Sequence, residues 1–409
     1  PHFYAHGNNP QWPHFGQLMR YMNRTATLLS KGNAARPVAI LYHADAEWAG
    51  NAMPIERVAA ELTRAQIDFD FVPAEAFEDE GRYEVSIADG TLAVNGCRYQ
   101  AFVMPGASFT GAATAEAARR MMAAGVMVLA VDKVPSALYD ADGAAELDGL
   151  TATPLAGVAD VLAAAGLQTV VTGTPQPWLR ALRYERAGET YVMLVNEHPR
   201  ESIRCTVALA RGERLRGTRL DLLNGTEPVA FDGVLELAPA ESCVVVLGAS
   251  SEIEPANRTD TSTCATLALD INHPWTVTLS PAGGDGTFGE PQKLEGLCDL
   301  TAELFAGTCG THRYHTSFEL ADNLADTAID LGDVYETATL TLDGRPLGTR
   351  ICPPYRFATG PLTVGTHELT IDVINTLDHA IPDIFALTEP VAPSGVLGPV
   401  TLCGQNLPK

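Results

Sequence analysis

The sequence predicts a multidomain protein in which an α/β region is followed by all-β domains. Its 409 residues exceed what one hydrophobic core usually serves. As far as residue 172, apolar strands alternate with helical segments. From residue 173 onward, short strands of alternating polarity are separated by Gly, Asn and Pro turns. We therefore expect one α/β domain and two antiparallel β domains.

Composition and charge narrow the classes of partner. The chain has 27 Lys and Arg residues against 50 Asp and Glu residues, which gives a formal net charge of −23. This charge repels nucleic acids and anionic membranes, so we expect neither as a partner and favour neutral polar ligands. No run of 18 or more apolar residues is present, which argues against a membrane-spanning helix.

The cysteines indicate packed, reduced thiols and a cytoplasmic location. They form no C-x-x-C pair and no zinc-like spacing with His, and no glycine-rich nucleotide loop is present, so we expect no metal and no cofactor. A disulfide in the last third of the chain is the alternative if the protein is secreted. The eight cysteines are at 97, 205, 243, 264, 298, 309, 352 and 403.

Residues 1–36 predict an aromatic loop and then one amphipathic helix, which Gly32 and Pro37 end. A lone helix with this many apolar positions needs a surface to pack on. We therefore expect it to pack on a domain upstream of this chain, and Pro1 not to be the native N-terminus. The apolar residues at helical spacing are Leu18, Met19, Met22, Leu28 and Leu29.

Residues 37–172 predict the α/β domain. Nearly continuous apolar strands that alternate with helices are typical of a parallel sheet covered on both faces, as in a flavodoxin-like three-layer domain. Asp89-Gly90 between alternating strands predicts an inserted hairpin. Strands are expected at 38–42, 67–73, 101–106 and 126–131, and helices at 54–66 and 112–124.

The remaining chain predicts antiparallel sheets. Residues 173–249 form short alternating segments typical of a small β domain, and residues 250–263 are polar, as in a linker. Over 264–409, prolines and glycines recur every 8 to 12 residues, as in a β-sandwich or jelly roll. A hairpin is expected at 337–350 around Asp343-Gly344.

Four motifs in this last domain resemble the sugar-binding jelly roll of glycoside hydrolase family 2 and related large bacterial glycosidases. The turn at 309–312 departs from the pattern, because it is longer than usual there. The resemblance implies a galactose-binding-like fold for 264–409. In order, the motifs are FAGTCGTHRYHTSFEL (305–320), IDLGDVYETATLTLDGRPLGTRICPPYRF (329–357), LTIDVINTLDHAIPD (369–383) and SGVLGPVTL (394–402).

The N-terminal half extends this resemblance. PHFYAHGNNPQWPHFGQLMRYMNRTATLLSKG (1–32), leading into VAILYHADAEWAG (38–50), is similar to the segment after the catalytic barrel in α-L-rhamnosidase-like enzymes. The α/β domain resembles the one after the barrel in family 42 β-galactosidases, where it supports trimerisation. The resemblance implies that the barrel with the catalytic carboxylates is not in this chain.

The stretch LYHADAEWAG (41–50) is the first candidate site. His43, Asp45, Glu47 and Trp48 follow a strand at the edge where open α/β sheets place ligand crevices. Two carboxylates and an indole suit a glycosidase, yet residues two apart on a loop rarely face each other across a scissile bond. We therefore predict the rim of a pocket on the upstream barrel. An independent active site and simple interdomain packing are the alternatives.

Other positions are candidates for carbohydrate contacts or for nucleophilic chemistry. Rings near the N-terminus offer a platform for a pyranose face, although we favour interdomain packing as their role. At the strand-to-helix elbows MPGASFTG (104–111) and VDKVPSAL (131–138), Ser108 and Ser136 occur without a Cys or a neighbouring His. The candidate carbohydrate contacts are Trp12, Trp275, Tyr355, Arg356, His379 and Asp383.

PPYRF (353–357) has a structural interpretation that we favour over sugar binding. In this interpretation it pins a strand against the sheet, with Arg356 paired to Asp333 or Asp372.

These observations predict the accessory C-terminal region of a glycoside hydrolase, whose parent activity is hydrolysis of a terminal sugar such as an α-L-rhamnoside or a β-galactoside. Its partners would be carbohydrate, the upstream barrel and a second copy of the chain. The alternatives are a self-contained hydrolase that uses the 43–48 crevice and a pure oligomerisation or interaction module.

Overall fold

The computed structural model describes residues 7–210, 212–247, 265–268, 274–381 and 391–406. The chain divides into two compact units, one of residues 25–256 and one of residues 1–24 with 257–409. The predicted N-terminal helix is confirmed as α1 (Phe15–Leu28). The predicted linker at 250–263 lies outside the described residues. Among the helices that the structure describes, none is long and apolar enough to cross a membrane.

The unit of residues 25–256 contains a parallel sheet with helices and a set of antiparallel strands. Its helices are α2 (Ala44–Ala49), α3 (Ile55–Arg64), α4 (Glu75–Glu78), α5 (Ala112–Ala123) and α6 (Leu155–Ala164). Its strands are β1 (Asn33–Ala34), β2 (Val38–Tyr42), β3 (Phe69–Pro73), β4 (Ser86–Ala88), β5 (Thr91–Val94), β6 (Cys97–Tyr99), β7 (Ala101–Met104), β8 (Phe109–Thr110), β9 (Met127–Val131), β10 (Ala137–Leu138), β11 (Ala152–Thr153), β12 (Val171–Thr172), β13 (Leu179–Arg186), β14 (Glu189–Asn196), β15 (Ile203–Ala208), β16 (Gly217–Leu220), β17 (Val229–Phe231), β18 (Val234–Leu237) and β19 (Ser242–Leu247).

The parallel sheet has the order β11-β9-β7-β2-β3. When these five strands are numbered along the chain and the sheet is read from β3 to β11, the order is 2-1-3-4-5. Side chains alternate along β2, so that Val38 and Ile40 enter one hydrophobic core while Ala39 and Leu41 enter the other. Helices α3 and α6 cover the first face, and α4 and α5 cover the second. The prediction of a parallel sheet covered on both faces is confirmed.

The antiparallel strands of this unit form a sheet in the order β1-β13-β14-β19-β16-β17 and a smaller sheet in the order β12-β15-β18. A separate core lies among them, and it includes Val192, Leu194, Leu235 and Leu237. Strand β1 comes from the segment predicted as an N-terminal remnant, and β12 from the predicted α/β domain. β1 pairs with β13 and β12 pairs with β15, so strand pairing crosses two of the predicted domain boundaries.

The other unit is a sandwich of two antiparallel sheets. Their orders are β22-β21-β23-β29-β26-β27 and β20-β31-β24-β28, and β25 pairs with β30. Its elements are α7 (Leu300–Glu303), β20 (Ala265–Ala268), β21 (Trp275–Pro281), β22 (Gln292–Leu294), β23 (Gly310–Leu320), β24 (Leu324–Asp330), β25 (Asp333–Tyr335), β26 (Thr337–Leu342), β27 (Arg345–Arg350), β28 (Arg356–Leu362), β29 (Gly365–Ile374), β30 (Gly395–Gly398) and β31 (Thr401–Asn406).

One large core lies in this sandwich, and Trp275, Tyr314 and Phe357 are among its fully buried members. The phenol oxygen of Tyr314 accepts a hydrogen bond of 3.0 Å from the backbone N–H of Val396, which satisfies a polar group inside the core. The predicted hairpin around Asp343-Gly344 is confirmed between β26 and β27. Both turn residues have positive φ, 51° and 73°, as a two-residue turn of this kind requires.

Candidate functional site

The stretch that follows β2 is helical. Its expected loop conformation is wrong, because α2 begins at Ala44 directly after the strand. His43 is buried, with Nε2 3.0 Å from the carbonyl oxygen of Met53 and 3.7 Å from Oε1 of Glu47. Trp48 is 85% exposed. His43 therefore faces the interior, whereas Glu47 and Trp48 face solvent.

The helix also decides how the two carboxylates are related. Asp45 and Glu47 are two residues apart on α2, and residues at that spacing do not face each other on a helix. Acid and base catalysis of glycoside hydrolysis needs two carboxyl groups that converge on one bond from opposite sides. This pair, taken alone, does not have that arrangement.

Ser108 has a partner that is distant in sequence. The ammonium Nζ of Lys133 donates a hydrogen bond of 2.7 Å to the hydroxyl oxygen of Ser108. The two residues follow β7 and β9, which are adjacent in the parallel sheet, so their strand ends bring them together. A protonated lysine is only a donor, so it holds the oxygen and does not remove the hydroxyl proton. We assign no nucleophile here.

A second group of polar and aromatic side chains lies in the sandwich unit. Trp12 begins a short 3₁₀ turn, Trp12–His14, and its ring stacks on Phe15 at 5.3 Å between centroids and an interplanar angle of 17°. The indole is 41% exposed. The side chain of the preceding residue, Gln11, forms a hydrogen bond with the Glu336 carboxylate.

Electrostatics connect Glu336 with a second short 3₁₀ turn, Leu377–His379. Burial raises the pKa of Glu336, the hydrogen bond from Gln11 lowers it, Asp378 raises it, and His379 lowers it. The hydroxyl of Thr376 donates to the Asp378 carboxylate. We call Gln11, Trp12, Glu336, Asp378 and His379 the Trp12 cluster.

The Trp12 cluster has the chemistry of a carbohydrate contact. An exposed indole can pack against the C–H groups of a pyranose, while carboxylate and amide oxygens accept hydrogen bonds from sugar hydroxyls. The sequence suggested Trp12 and His379 as separate contacts. It missed Glu336 and Asp378, because nothing in their local pattern indicates that segments more than 300 residues apart come together.

The remaining candidates are distributed through the sandwich. Trp275 is 1% exposed and meets Tyr314 edge to face. Tyr355 is buried, and its hydroxyl donates to the backbone carbonyl of Glu336. Asp383 lies outside the described residues.

Arg356 begins β28 with its side chain exposed, between the buried Tyr355 and Phe357. The expected pairing with Asp372 is wrong, since that carboxylate binds Arg313 at 2.7 and 2.8 Å. The interpretation that PPYRF pins a strand is consistent with burial of the two rings that flank Arg356.

His312 is a buried titratable side chain on strand β23 of the same unit. It is 0% exposed and lies beside Phe305, and among the described residues neither ring nitrogen has a partner at hydrogen-bond geometry. Burial lowers its pKa to about 4, His379 acts in the same direction, and the backbone of Val373 acts against both. The ring is therefore neutral near pH 7.

Within the described ranges, no group of three or more His, Cys, Asp or Glu side chains could hold a metal ion.

Comparisons with known proteins give a likeness of fold. No protein-family model matches this chain, and no curated protein matches it. A rhamnosidase from Novosphingobium sp. PP1Y matches over 97% of this chain and 41% of its own chain, at 19% identity and a TM-score of 0.61. This chain therefore spans less than half the length of that protein.

Two further solved structures match over shorter stretches. A β-galactosidase from Bacillus circulans sp. alkalophilus covers 56% of this chain and 44% of its own, at 12% identity and a TM-score of 0.38. A GH2 β-galacturonidase from Eisenbergiella tayi covers 35% of this chain and 24% of its own, at 15% identity and a TM-score of 0.26.

Proposed function

We propose that this chain is the accessory region of a bacterial glycoside hydrolase and that a catalytic barrel belongs upstream of it. The observation that carries the proposal is the fold likeness to a rhamnosidase, which extends over 97% of this chain but only 41% of the other. A terminal sugar, such as an α-L-rhamnoside or a β-galactoside, is the proposed substrate class of the parent enzyme. Carbohydrate and the barrel are the proposed partners, and the proposed location is cytoplasmic.

The proposal assigns separate tasks to the parts of the chain. The strand order 2-1-3-4-5 supports a flavodoxin-like domain that braces the barrel. The two facing antiparallel sheets support a galactose-binding-like jelly roll. In the same unit as that jelly roll, the exposed Trp12, which follows the Gln11 that bonds Glu336, is the proposed carbohydrate contact. Asp45, Glu47 and Trp48 are the proposed rim residues toward the barrel.

The test is an assay of the isolated chain on a panel of nitrophenyl glycosides that includes the α-L-rhamnoside and the β-D-galactoside. We expect no turnover, because Asp45 and Glu47 do not converge. Turnover that disappears in Glu47→Gln would overturn the proposal and favour a self-contained hydrolase. The coding sequence upstream should also encode a barrel with a carboxylate pair, and an unrelated sequence there would contradict the proposal.

An interaction module is the second candidate, and the exposure of Trp48 favours it. An indole that is 85% exposed near the C-terminal end of helix α2 is a typical contact residue at a protein interface. In this alternative the α/β domain forms an oligomer of the chain itself.

A further inference from the structure

A cavity lies where α3 and the start of β3 meet β13 and β14, all within the unit of residues 25–256. Its volume is about 250 Å³. Pockets for drug-sized ligands commonly measure roughly 300–1,000 Å³, so this cavity suits a molecule with a single ring. Phe69, Leu182 and Met193 provide an apolar wall, while Asp68 and Arg180 provide charge.

Asp68 is a carboxylate whose bonding is incomplete. Its Oδ1 accepts a hydrogen bond of 3.0 Å from the backbone N–H of Phe69. Its Oδ2 is buried and, among the described residues, lacks a hydrogen bond of normal length, since Nε of Arg36 forms an ion pair with it at 3.6 Å. Arg36 also binds Asp70, at the shorter distance of 2.6 Å. Burial raises the pKa of Asp68 to about 6, against the opposing charge of Arg36.

Arg180 supplies donors on another side of the cavity. Its Nε lies 2.6 Å from the Glu197 carboxylate, and its Nη1 donates a hydrogen bond of 2.8 Å to the carbonyl oxygen of Pro177. Both contacts hold the planar guanidinium in place. These contacts engage Nε and Nη1 of the guanidinium.

These features select the charge and shape of a ligand. An anion in the cavity would meet the carboxylate of Asp68, in a chain with a net charge of −23, and a cation would meet the guanidinium of Arg180. A neutral molecule with several hydroxyl groups can donate to the carboxylate and accept from the guanidinium at the same time. The C–H face of a pyranose also suits an apolar wall that contains one aromatic ring.

We propose that this cavity binds one neutral monosaccharide unit, with its ring against Phe69 and Met193 and its hydroxyls on Asp68 and Arg180. The site is independent of the Trp12 cluster, which lies in the other unit. It does not depend on the accessory role proposed above, because a self-contained enzyme could have it as well.

The test measures sugar binding to the full chain by saturation-transfer NMR and calorimetry, with methyl α-L-rhamnoside, methyl β-D-galactoside and myo-inositol as probes. We expect saturable binding of at least one sugar. Met193→Trp should fill the cavity and Asp68→Asn should remove the charged acceptor, and each should weaken binding by about tenfold or more. Asp160→Asn on the exposed side of α6 is the matched carboxyl control and should bind as the parent does.

Two outcomes would overturn this site. One is the absence of saturable binding by any probe. The other is binding that Asp68→Asn leaves unchanged while Trp12→Ala abolishes it, which would assign all binding to the Trp12 cluster. If Met193→Trp unfolds, as its circular dichroism melt would show, Asp68→Asn decides the question alone. Failure here leaves the accessory function intact, since that function is tested by turnover.

Discussion

The Nδ1 atom of His367 lies 2.7 Å from Oδ2 of Asp343, which joins the turn of the β26–β27 hairpin to strand β29. The other ring nitrogen, Nε2, lies 2.8 Å from the carbonyl oxygen of Thr363, and the ring stacks on Phe318. Both nitrogens of His367 are therefore engaged by oxygen atoms. A protonated ring can donate to both oxygens, so this site favours the cation.

This pair predicts a pH dependence in the sandwich unit. Burial lowers the pKa of His367, but the hydrogen bonds to Asp343 and Thr363 raise it above its usual 6.5. The contribution of the pair to the free energy of unfolding is therefore complete below about pH 6.5 and is lost as the pH rises through the folded-state pKa. Asp343→Asn should lower the His367 pKa in an NMR titration.

The same variant should reduce the free energy of unfolding by less than about 1 kcal/mol near pH 6, because the Asp343 carboxylate is 45% exposed. The loss should be smaller near pH 8. Asn also tolerates the left-handed turn position, so the hairpin should persist. The exposed Asp322→Asn is the control. An unchanged His367 titration in Asp343→Asn would show that the pair is not coupled.

His312 predicts a loss of stability in acid. Its pKa falls to about 4 in the folded chain from an unfolded value near 6.5, so the unfolded state binds the proton more tightly. Stability is complete above about pH 6.5 and falls as the pH drops toward 4, by up to about 3 kcal/mol in total. His312→Leu removes two unpartnered nitrogens and should be more stable than the parent chain at about pH 5.

Urea denaturation of both proteins near pH 7.5 and near pH 5 measures this difference. The parent chain should lose stability between the two conditions, and His312→Leu should lose less. Equal losses in the two proteins would mean that other groups control the acid response.

Much of the fold could be predicted from the sequence, because local pattern determines it. Strand β2 was predicted with its bounds at Val38 and Tyr42, and the Asp343-Gly344 turn followed from two residues that tolerate positive φ. The helix at 44–49 was missed because it is one and a half turns long, too short for apolar periodicity to show. The strand at 33–34 was missed because two residues have no alternation to detect.

The candidate site was less predictable, since tertiary contacts assemble it. Lys133 reaches Ser108 only because their strands are neighbours in the sheet, and the sequence does not state the strand order. Asp372, one of the two acids considered as partners for Arg356, pairs with Arg313, because β23 and β29 pair in a register that places these two residues directly opposite. When several opposite charges are available, the sequence does not show which two form an ion pair until the register of the strands is known.

Trp12 predicts a specific effect on sugar binding. Trp12→Ala should weaken binding of oligosaccharides by about three- to tenfold, because a stacked ring contributes up to about 1.5 kcal/mol beyond its buried area. Trp178→Ala is a matched control, since that indole is similarly exposed at 47% but contacts His198 in the other unit. Calorimetry with a panel of oligosaccharides measures both variants. Equal weakening by the two variants would count against the Trp12 cluster.

Trp48 predicts self-association if the interaction module is correct. Light scattering at high protein concentration should then give a mass above that of one chain, and Trp48→Ala should shift the population toward the monomer. Trp178→Ala should have no such effect. A parent chain that stays strictly monomeric at every concentration would exclude this role of Trp48 in the isolated chain.

Strand β1 is only two residues long, yet it covers the side of β13 opposite β14. Its approach is tight, since the backbone N–H of Gly32 donates to the hydroxyl of Tyr184 at 2.7 Å and a Cβ at Gly32 would lie 2.2 Å from the carbonyl oxygen of Glu185. A chain that begins after Ala34 would lose both β1 and the Gly32 contact and would expose the backbone of β13. An exposed edge strand can pair with the edge strands of other chains. Proteolytic removal of β1 should therefore make the protein aggregate.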